Sequence, residues 1–259
     1  MSVIADKVLV VFLDAALSPD AAAAAESKAL NEVAARGCNG FLVLPDGKGE
    51  LSDLESLLGV DRVGGAAQFK FPKMPVAFFS MSSSSCALAK SLGFERVHSI
   101  TTETESESEA SASAKELLTG SDKQLVFVHV DARVSSDHWV HSLVLDALLH
   151  ERCLVSLVQT AHQLHTMQLN TGSSSSPFWP RQSYEKVNGQ YPAESASPSN
   201  PQLRRLLLSF YQKDRTRRDA VQRFDETQTD AMGSYGTMSA LMFLKEVAFR
   251  LGFAPKYGA

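Results

Sequence analysis

The stretch KVLVVFLDAA, residues 7–16, begins with one lysine and then runs through six apolar residues, three of them valines, to an aspartate. A run without alternation of polar and apolar residues is typical of a strand buried on both faces of a sheet. A helical pattern follows, in which Ser18 is the expected N-cap, Pro19 stands at the first helical position and Gly37 ends the helix. A buried strand that leads directly into a helix predicts the start of an α/β domain.

The same alternation continues along the chain. Further strands are predicted at 40–45, 74–81, 124–130 and 153–160. Helices are predicted at 53–59, 82–94, 111–120, 139–151, 202–214 and 236–252. Strands that alternate with helices at this spacing predict an α/β fold with a mostly parallel sheet flanked by helices on both faces.

Two segments lack a regular pattern. Residues 101–113 are acidic and serine-rich, and we predict a solvated loop that leads into a helix. Residues 170–201 are rich in serine, proline and asparagine, and a loop of that length inside a compact domain is usually functional or poorly ordered.

Composition narrows the class of protein. Of the 259 residues, 44% are hydrophobic and 21% are charged, which suits one large globular domain or two small ones. The net charge of −4 argues against a general nucleic-acid binder. Three widely spaced cysteines form neither a disulfide framework nor a zinc pattern, and no apolar run is long enough to span a bilayer. We therefore expect a cytoplasmic protein with no membrane span and no nucleic-acid partner.

Polar residues follow several of the predicted strands. Ligands of parallel α/β sheets bind beyond the carboxyl ends of the strands, so these residues are the candidate site. They are Asp14, Ser52, Asp53, Asp131, Asp137, His138, His162 and His165. Aspartate, serine and histidine at one edge of a sheet suggest a hydrolytic or phosphoryl-transfer metal centre. For any one of these residues alone, the alternative is a helix cap or a turn.

The order of the motifs resembles the alkaline-phosphatase superfamily, in particular its archaeal-type cofactor-independent phosphoglycerate mutases. GELSDLESLLGVD (49–61) resembles the family's GSDTAHLALLGYDP, and LVFVHVDARVSSDHW (125–139) resembles FVFVHVKAPDEAGHDG. The terminal LMFLKEVAFRLGFAPKYGA (241–259) is similar to LMPILLDLAGRLEKFGA. The resemblance spans nearly the whole chain in the correct order, and it implies an alkaline-phosphatase-like core.

The resemblance also implies roles for four residues. Asp14 matches the family's first metal-binding aspartate, and Ser52 matches its nucleophile. His138 and His162 match histidines that bind the metal ions.

Other family ligands have no counterpart in this chain. Val134 and Ala161 stand where the family has metal-binding aspartates, and the last family histidine falls within 173–180. Two-metal catalysis depends on two ions clamped by carboxylates and imidazoles, so these losses should weaken both sites. Asp131 and Asp137 are the possible replacements.

The family's cap domain is also missing. In the family, a large domain that closes over the substrate separates the segments that match residues 57–71 and 72–81, which are adjacent here. A mutase needs that enclosure to retain the phosphoryl group and exclude water. We therefore predict a single cap-less domain over 1–259 that has no mutase activity.

Two further features concern partners. Phe178, Trp179 and Tyr184 lie within the 170–201 loop, where aromatic residues either form a contact surface or fix the loop to its own core. Residues 204–223 carry seven basic side chains, which form either a patch for anions or acidic partners or a solvated helix face whose charge the interleaved aspartates balance.

Two functions follow from these patterns. The first is a non-catalytic member of the superfamily that acts as a binding or assembly subunit, has a protein partner and needs no cofactor. The alternative is a cap-less, metal-dependent phosphohydrolase in which Ser52 is the nucleophile. Asp14, His138 and His162 would then hold one manganese or zinc ion.

Overall fold

A computed structural model describes residues 4–17, 27–45, 51–63, 66–101, 104–133, 138–163, 165–166 and 202–255. The strands are β1 (Lys7–Asp14), β2 (Cys38–Val43), β3 (Asp61–Val63), β4 (Ala66–Gln68), β5 (Val76–Ser80), β6 (Arg96–Ser99), β7 (Gln124–Asp131), β8 (Cys153–Thr160), β9 (His165–Thr166), β10 (Gln202–Leu203), β11 (Arg205–Gln212) and β12 (Gly236–Ser239). The helices are α1 (Lys28–Arg36), α2 (Asp53–Leu57), α3 (Ser83–Ser91), α4 (Thr104–Thr119), α5 (Trp139–Ala147), α6 (Glu226–Met232) and α7 (Ala240–Leu251). A 3-10 turn, Ala15–Leu17, follows β1.

One eight-stranded sheet organises the fold. Its strand order is β12-β2-β11-β8-β1-β7-β5-β6. Only β11 runs antiparallel to its neighbours, β2 and β8, while the other strands are parallel to one another. The carboxyl ends of the parallel strands therefore meet at one edge, which we call the carboxyl rim. At that rim Asp14 of β1 lies opposite Asp131 of β7.

Helices cover both faces of the sheet, and β1 shows why. Val8, Val10 and Phe12 pack in one core with α2, α3 and α7, whereas the alternate residues Leu9 and Val11 pack in a second core with α1, α4 and α5. Alternate side chains of a strand point to opposite faces, so a strand that is apolar at every position must be covered twice. The predicted α/β fold with a mostly parallel, doubly covered sheet is confirmed.

Residues 202–214 do not form the predicted helix. Most of the segment is β11, a central strand between β2 and β8, and its three consecutive leucines Leu206–Leu208 are all buried. Leucine favours helices in isolated peptides. In a strand, however, successive side chains point to opposite faces of the sheet, so three consecutive leucines are buried only when both faces are covered. Residues 236–239, predicted as the start of the last helix, instead form the edge strand β12.

The acidic segment 101–113 is largely helical rather than a loop. Helix α4 begins at Thr104, and its buried residues Ala110, Ala114 and Leu118 recur every fourth position. This narrow apolar stripe packs against the sheet, while Ser108 and Glu109 are exposed. The many serines around Ala110 obscured the stripe in the sequence.

Helix α1 ends as predicted, with Gly37 at its C-cap. Its described part begins after Ser27, whose Oγ accepts a hydrogen bond from the Leu30 amide, while residues 18–26 lie outside the described residues. Between α2 and β5, the described residues form only the small antiparallel β3–β4 hairpin. Within the described part of the chain, no helix has the length and apolarity to cross a membrane.

Candidate functional site at the carboxyl rim

Asp14 ends β1 at the centre of the carboxyl rim, and its carboxylate is held by hydrogen bonds from its own chain. Its Oδ2 lies 3.1 Å from Nε2 of His129 on β7. Its Oδ1 accepts from the Ala16 amide at 2.9 Å and from the Thr160 hydroxyl of β8 at 3.4 Å. Only 10% of the Asp14 side chain is exposed. Neighbouring strands and the turn after β1 therefore occupy much of its hydrogen-bonding capacity.

His129 continues this chain of contacts to a third strand. Its Nδ1 lies 2.9 Å from the Ser80 hydroxyl at the end of β5, and Ser80 Oγ accepts from the Ser82 amide at 3.0 Å. Because a carboxylate only accepts, Nε2 donates to Asp14, while Nδ1 shares a hydrogen bond with the Ser80 hydroxyl. We call Asp14, His129 and Ser80 the buried relay. Ser80 and His129 are at most 1% exposed, so Ser80 cannot act as a nucleophile on an external substrate.

The charge of Asp14 is stabilised within the relay. Burial raises its pKa, but the hydrogen bonds from His129, the Ala16 amide and Thr160 outweigh burial, so the pKa lies below its usual value. Asp53 behaves in the opposite way, because burial and the nearby charge of Asp14 raise its pKa more than the Arg204 guanidinium lowers it. The two carboxylates therefore lie within electrostatic range of each other at the rim.

Ser52 lies at the start of α2 and is exposed. Its Oγ accepts from the Glu55 amide at 3.2 Å, and its own amide donates to the Glu55 carboxylate at 2.8 Å. This reciprocal arrangement is a capping box, which satisfies two of the amides at the helix start. The structure thus gives Ser52 the helix-capping role that the sequence left open, while its hydroxyl remains accessible from outside.

Asp131 ends β7 and pairs with a cation of its own chain. Its Oδ1 accepts from the Arg133 amide at 2.8 Å and from Arg133 Nε at 3.0 Å. The Arg133 guanidinium also donates to the Ala15 carbonyl at 3.0 Å, so it connects the ends of β7 and β1. Asp137, the other proposed replacement ligand, lies outside the described residues.

The two candidate histidines have different surroundings. His138 is the N-cap of α5, where its Nδ1 accepts from the Val140 amide at 3.4 Å and its Nε2 lies 3.6 Å from the Glu107 carboxylate of α4. His162 follows β8 and is exposed, and its amide donates to Glu226 of α6 at 2.6 Å. His138 thus contacts α4 and α5, and His162 contacts α6.

Among the described residues, no group of three or more His, Cys, Asp or Glu side chains is arranged to hold a metal ion. The part of the chain that the structure describes therefore does not supply a complete ligand set. The metal-binding roles of Asp14, His138 and His162 stay predictions.

Sequence reasoning missed the role of His129, which lies within the buried strand β7 and was not among the candidate site residues. The strand order could have indicated this role. His129 pairs with Ser80 across β7 and β5, and β7 also pairs with β1, which carries Asp14. Phe178, Trp179 and Tyr184 lie outside the described residues. The strands on either side of that segment, β9 and β10, pair with each other in antiparallel orientation.

Comparison with known proteins supports the fold. Searches of protein-family models and of curated proteins find no match. Among solved structures, the PH0037 protein from Pyrococcus horikoshii is 12% identical with a TM-score of 0.58, and the alignment covers 100% of both chains. The cofactor-independent phosphoglycerate mutase from Thermoplasma acidophilum is 9% identical with a TM-score of 0.54, and the alignment covers 95% of this chain and 99% of that one. The protein therefore has a phosphoglycerate-mutase-like α/β fold. Sequence identities this low are evidence for the fold alone.

Proposed function

We propose that this protein is a non-catalytic relative of the phosphoglycerate mutases and other alkaline-phosphatase-like metalloenzymes, and that it acts as a binding or assembly subunit. The observation that carries the proposal is the buried relay. Asp14 stands where the superfamily has its first metal-binding aspartate, yet three donors of its own chain surround the carboxylate. A carboxylate stabilised in this way does not need a cation to remain ionised inside the protein.

The Arg133 guanidinium supports the same proposal. It pairs with Asp131 and reaches the Ala15 carbonyl, so a cation of the same chain offsets the charge of Asp131. A divalent ion would have to compete with this guanidinium for the Asp131 carboxylate. Asp131 would have to give up this partner to replace a lost ligand.

The partner surface that we propose includes Phe178, Trp179 and Tyr184. Large aromatic side chains contribute much of the binding energy at protein interfaces, because they bury a large area at a small cost in conformational entropy. Their position in a segment rich in serine and proline is the support for this assignment.

A metal and activity assay tests the proposal. We expect hydrolysis of p-nitrophenyl phosphate, with manganese or zinc present, to be the same for the wild-type protein and for Ser52→Ala. Ser82→Ala is the matched control, since Ser82 likewise caps a helix with its side chain but is not the candidate nucleophile. Each substitution should cost about 1 kcal/mol of stability through the lost cap. Manganese-dependent turnover that Ser52→Ala abolishes and Ser82→Ala retains would contradict the proposal.

The second candidate is a cap-less, metal-dependent phosphohydrolase, and the exposure of Ser52 at the rim favours it. In that case Asp14, His138 and His162 would hold one manganese or zinc ion, with Asp131 or Asp137 replacing a lost ligand. Asp14 would then have to exchange its hydrogen bond with His129 for the ion. Because the described residues lack a complete ligand set, we rank this function second.

A further inference from the structure

A turn rich in arginine lies at the opposite end of the sheet from the carboxyl rim. Residues 213–218, KDRTRR, follow β11, and because β11 is antiparallel to its neighbours, its end lies at the amino ends of the parallel strands. We call residues 213–218 the arginine turn. Its four cationic side chains and one aspartate give it a net charge of +3, in a chain whose net charge is −4.

The aspartate that follows this turn binds amide groups of its own chain rather than an arginine of the turn. Asp219 accepts from the Asn39 amide and from Asn39 Nδ2, each at 2.8 Å. It also accepts from the amides of Ser234 at 3.0 Å and Val221 at 3.2 Å. Farther along the chain, Asp225 caps α6 by accepting from the Gln228 amide. Asp225 also lies 3.9 Å from Arg223 Nε. The predicted helix face is wrong, because residues 205–212 form the strand β11.

Three arginines of the turn are directed to solvent. Arg215, Arg217 and Arg218 are exposed, and within the described part of the chain their side chains form no salt bridge. Other arginines do have partners, as Arg152 pairs with Asp6 and Arg205 pairs with Asp230. The guanidinium donors of the turn are therefore available to an external ligand.

The backbone that presents these arginines is well fixed. The amides of Arg215 and Thr216 donate to the Gln212 carbonyl, and the Thr216 hydroxyl accepts from the Gln212 amide at 2.7 Å. Asp219 fastens the other end of the turn. A ligand would therefore not have to order this backbone on binding, which removes one entropic cost of association.

An open depression of about 640 Å³ adjoins the turn. Lys213, Asp214 and Arg215 form one side, while Glu151 and Arg152 form the other. It offers a shallow surface on which an extended chain can lie beside Arg215.

We propose that the arginine turn binds an acidic peptide segment of a protein partner. The planar guanidinium group forms paired hydrogen bonds with a carboxylate, so a short series of glutamates or aspartates matches these arginines. A continuous polyanion such as nucleic acid fits less well, because Asp214 and Glu151 interrupt the patch and the whole chain is negatively charged. The inference rests on the proposed function in that it takes binding to be the task of the protein.

Binding of a labelled decaglutamate peptide, followed by fluorescence anisotropy at low salt, tests this inference. We expect the triple variant Arg215→Gln, Arg217→Gln, Arg218→Gln to bind about tenfold more weakly or worse. The control triple variant Lys73→Gln, Lys90→Gln, Arg96→Gln removes the same charge from exposed side chains elsewhere and should change the affinity less than about twofold. Equal loss in both variants, or no binding by the wild-type protein, would overturn the inference.

Two further probes separate an acidic peptide from other polyanions. A labelled single-stranded oligonucleotide and phosphatidylserine vesicles should bind more weakly than the peptide, and tighter binding of either would overturn the peptide assignment. Metal-dependent turnover would refute the non-catalytic proposal and leave this inference standing. Unchanged peptide binding by the arginine variant would refute this inference alone.

Discussion

His129→Ala is expected to lower the free energy of unfolding by about 3 kcal/mol, because it leaves the buried carboxylate of Asp14 without one of its main donors. It also removes the partner of the Ser80 hydroxyl and the ring that stacks on Phe12 at 5.3 Å. Urea denaturation followed by circular dichroism measures the change.

His98→Ala is the matched control for this substitution. The His98 ring also stacks on a phenylalanine, Phe79, at a centroid distance of 4.4 Å, but it has no carboxylate partner among the described residues. We expect a loss of about 1 kcal/mol for the control. The double variant Asp14→Asn, His129→Ala should destabilise the protein less than the sum of the two single variants, since the charge and its donor disappear together. Additive effects would argue against the relay as a coupled unit.

The relay also sets a pH dependence. Because the pKa of Asp14 lies below its usual value in the folded protein, its contribution to stability is complete above the unfolded pKa of about 3.9. The contribution disappears as pH falls through the lower, folded value. His129→Ala removes a donor that lowers this pKa, so the variant should lose less additional stability than the wild type between about pH 5 and pH 2.

Asp219→Ala is the second substitution for which we expect a large effect, a loss of about 3 kcal/mol in the free energy of unfolding. Its carboxylate accepts from four donors on three segments, namely Asn39 of β2, Val221, and Ser234 before β12. Hydrogen bonds to a charged acceptor are stronger than neutral ones, and donors left unsatisfied add a desolvation cost.

Asp214→Asn tests whether this loss is specific. Asp214 lies on the same stretch of chain but is exposed, and asparagine tolerates its positive φ of 57°, so we expect this substitution to change stability by no more than about 0.5 kcal/mol. Thermal and urea unfolding of both variants give the comparison. Similar losses for the two would mean that the hydrogen bonds of Asp219 do not hold these segments together.

The sequence predicted the parallel part of the sheet well, because β1, β7 and β8 are continuous apolar runs that only a doubly covered strand explains. It failed for β11, whose three leucines, arginine and glutamine are good helix formers. What makes this segment a strand is the gap between β2 and β8, and a local pattern does not contain that information.

The candidate site was predictable in position more than in chemistry. Asp14 and Asp131 follow apolar runs, so the parallel sheet brings both to the same rim. The partner of each carboxylate could not be predicted from the sequence. His129 reaches Asp14 from a neighbouring strand, and Arg133 reaches Asp131 by folding back along its own chain. Both choices depend on side-chain directions that spacing does not fix.

The antiparallel strand β11 has a consequence for how the chain folds. It lies between β2 and β8, both of which precede it in the sequence, so the sheet stays in two pieces until residues 205–212 are available. During synthesis, β8 and β2 therefore have unpaired edges until β11 is made. Unpaired strand edges are prone to pair with other chains. Closing the sheet joins residues that are far apart along the chain, which is characteristic of slow folding. The sheet can therefore be completed only after most of the polypeptide has been synthesised. A chain that stops before β11 would keep the edges of β2 and β8 exposed.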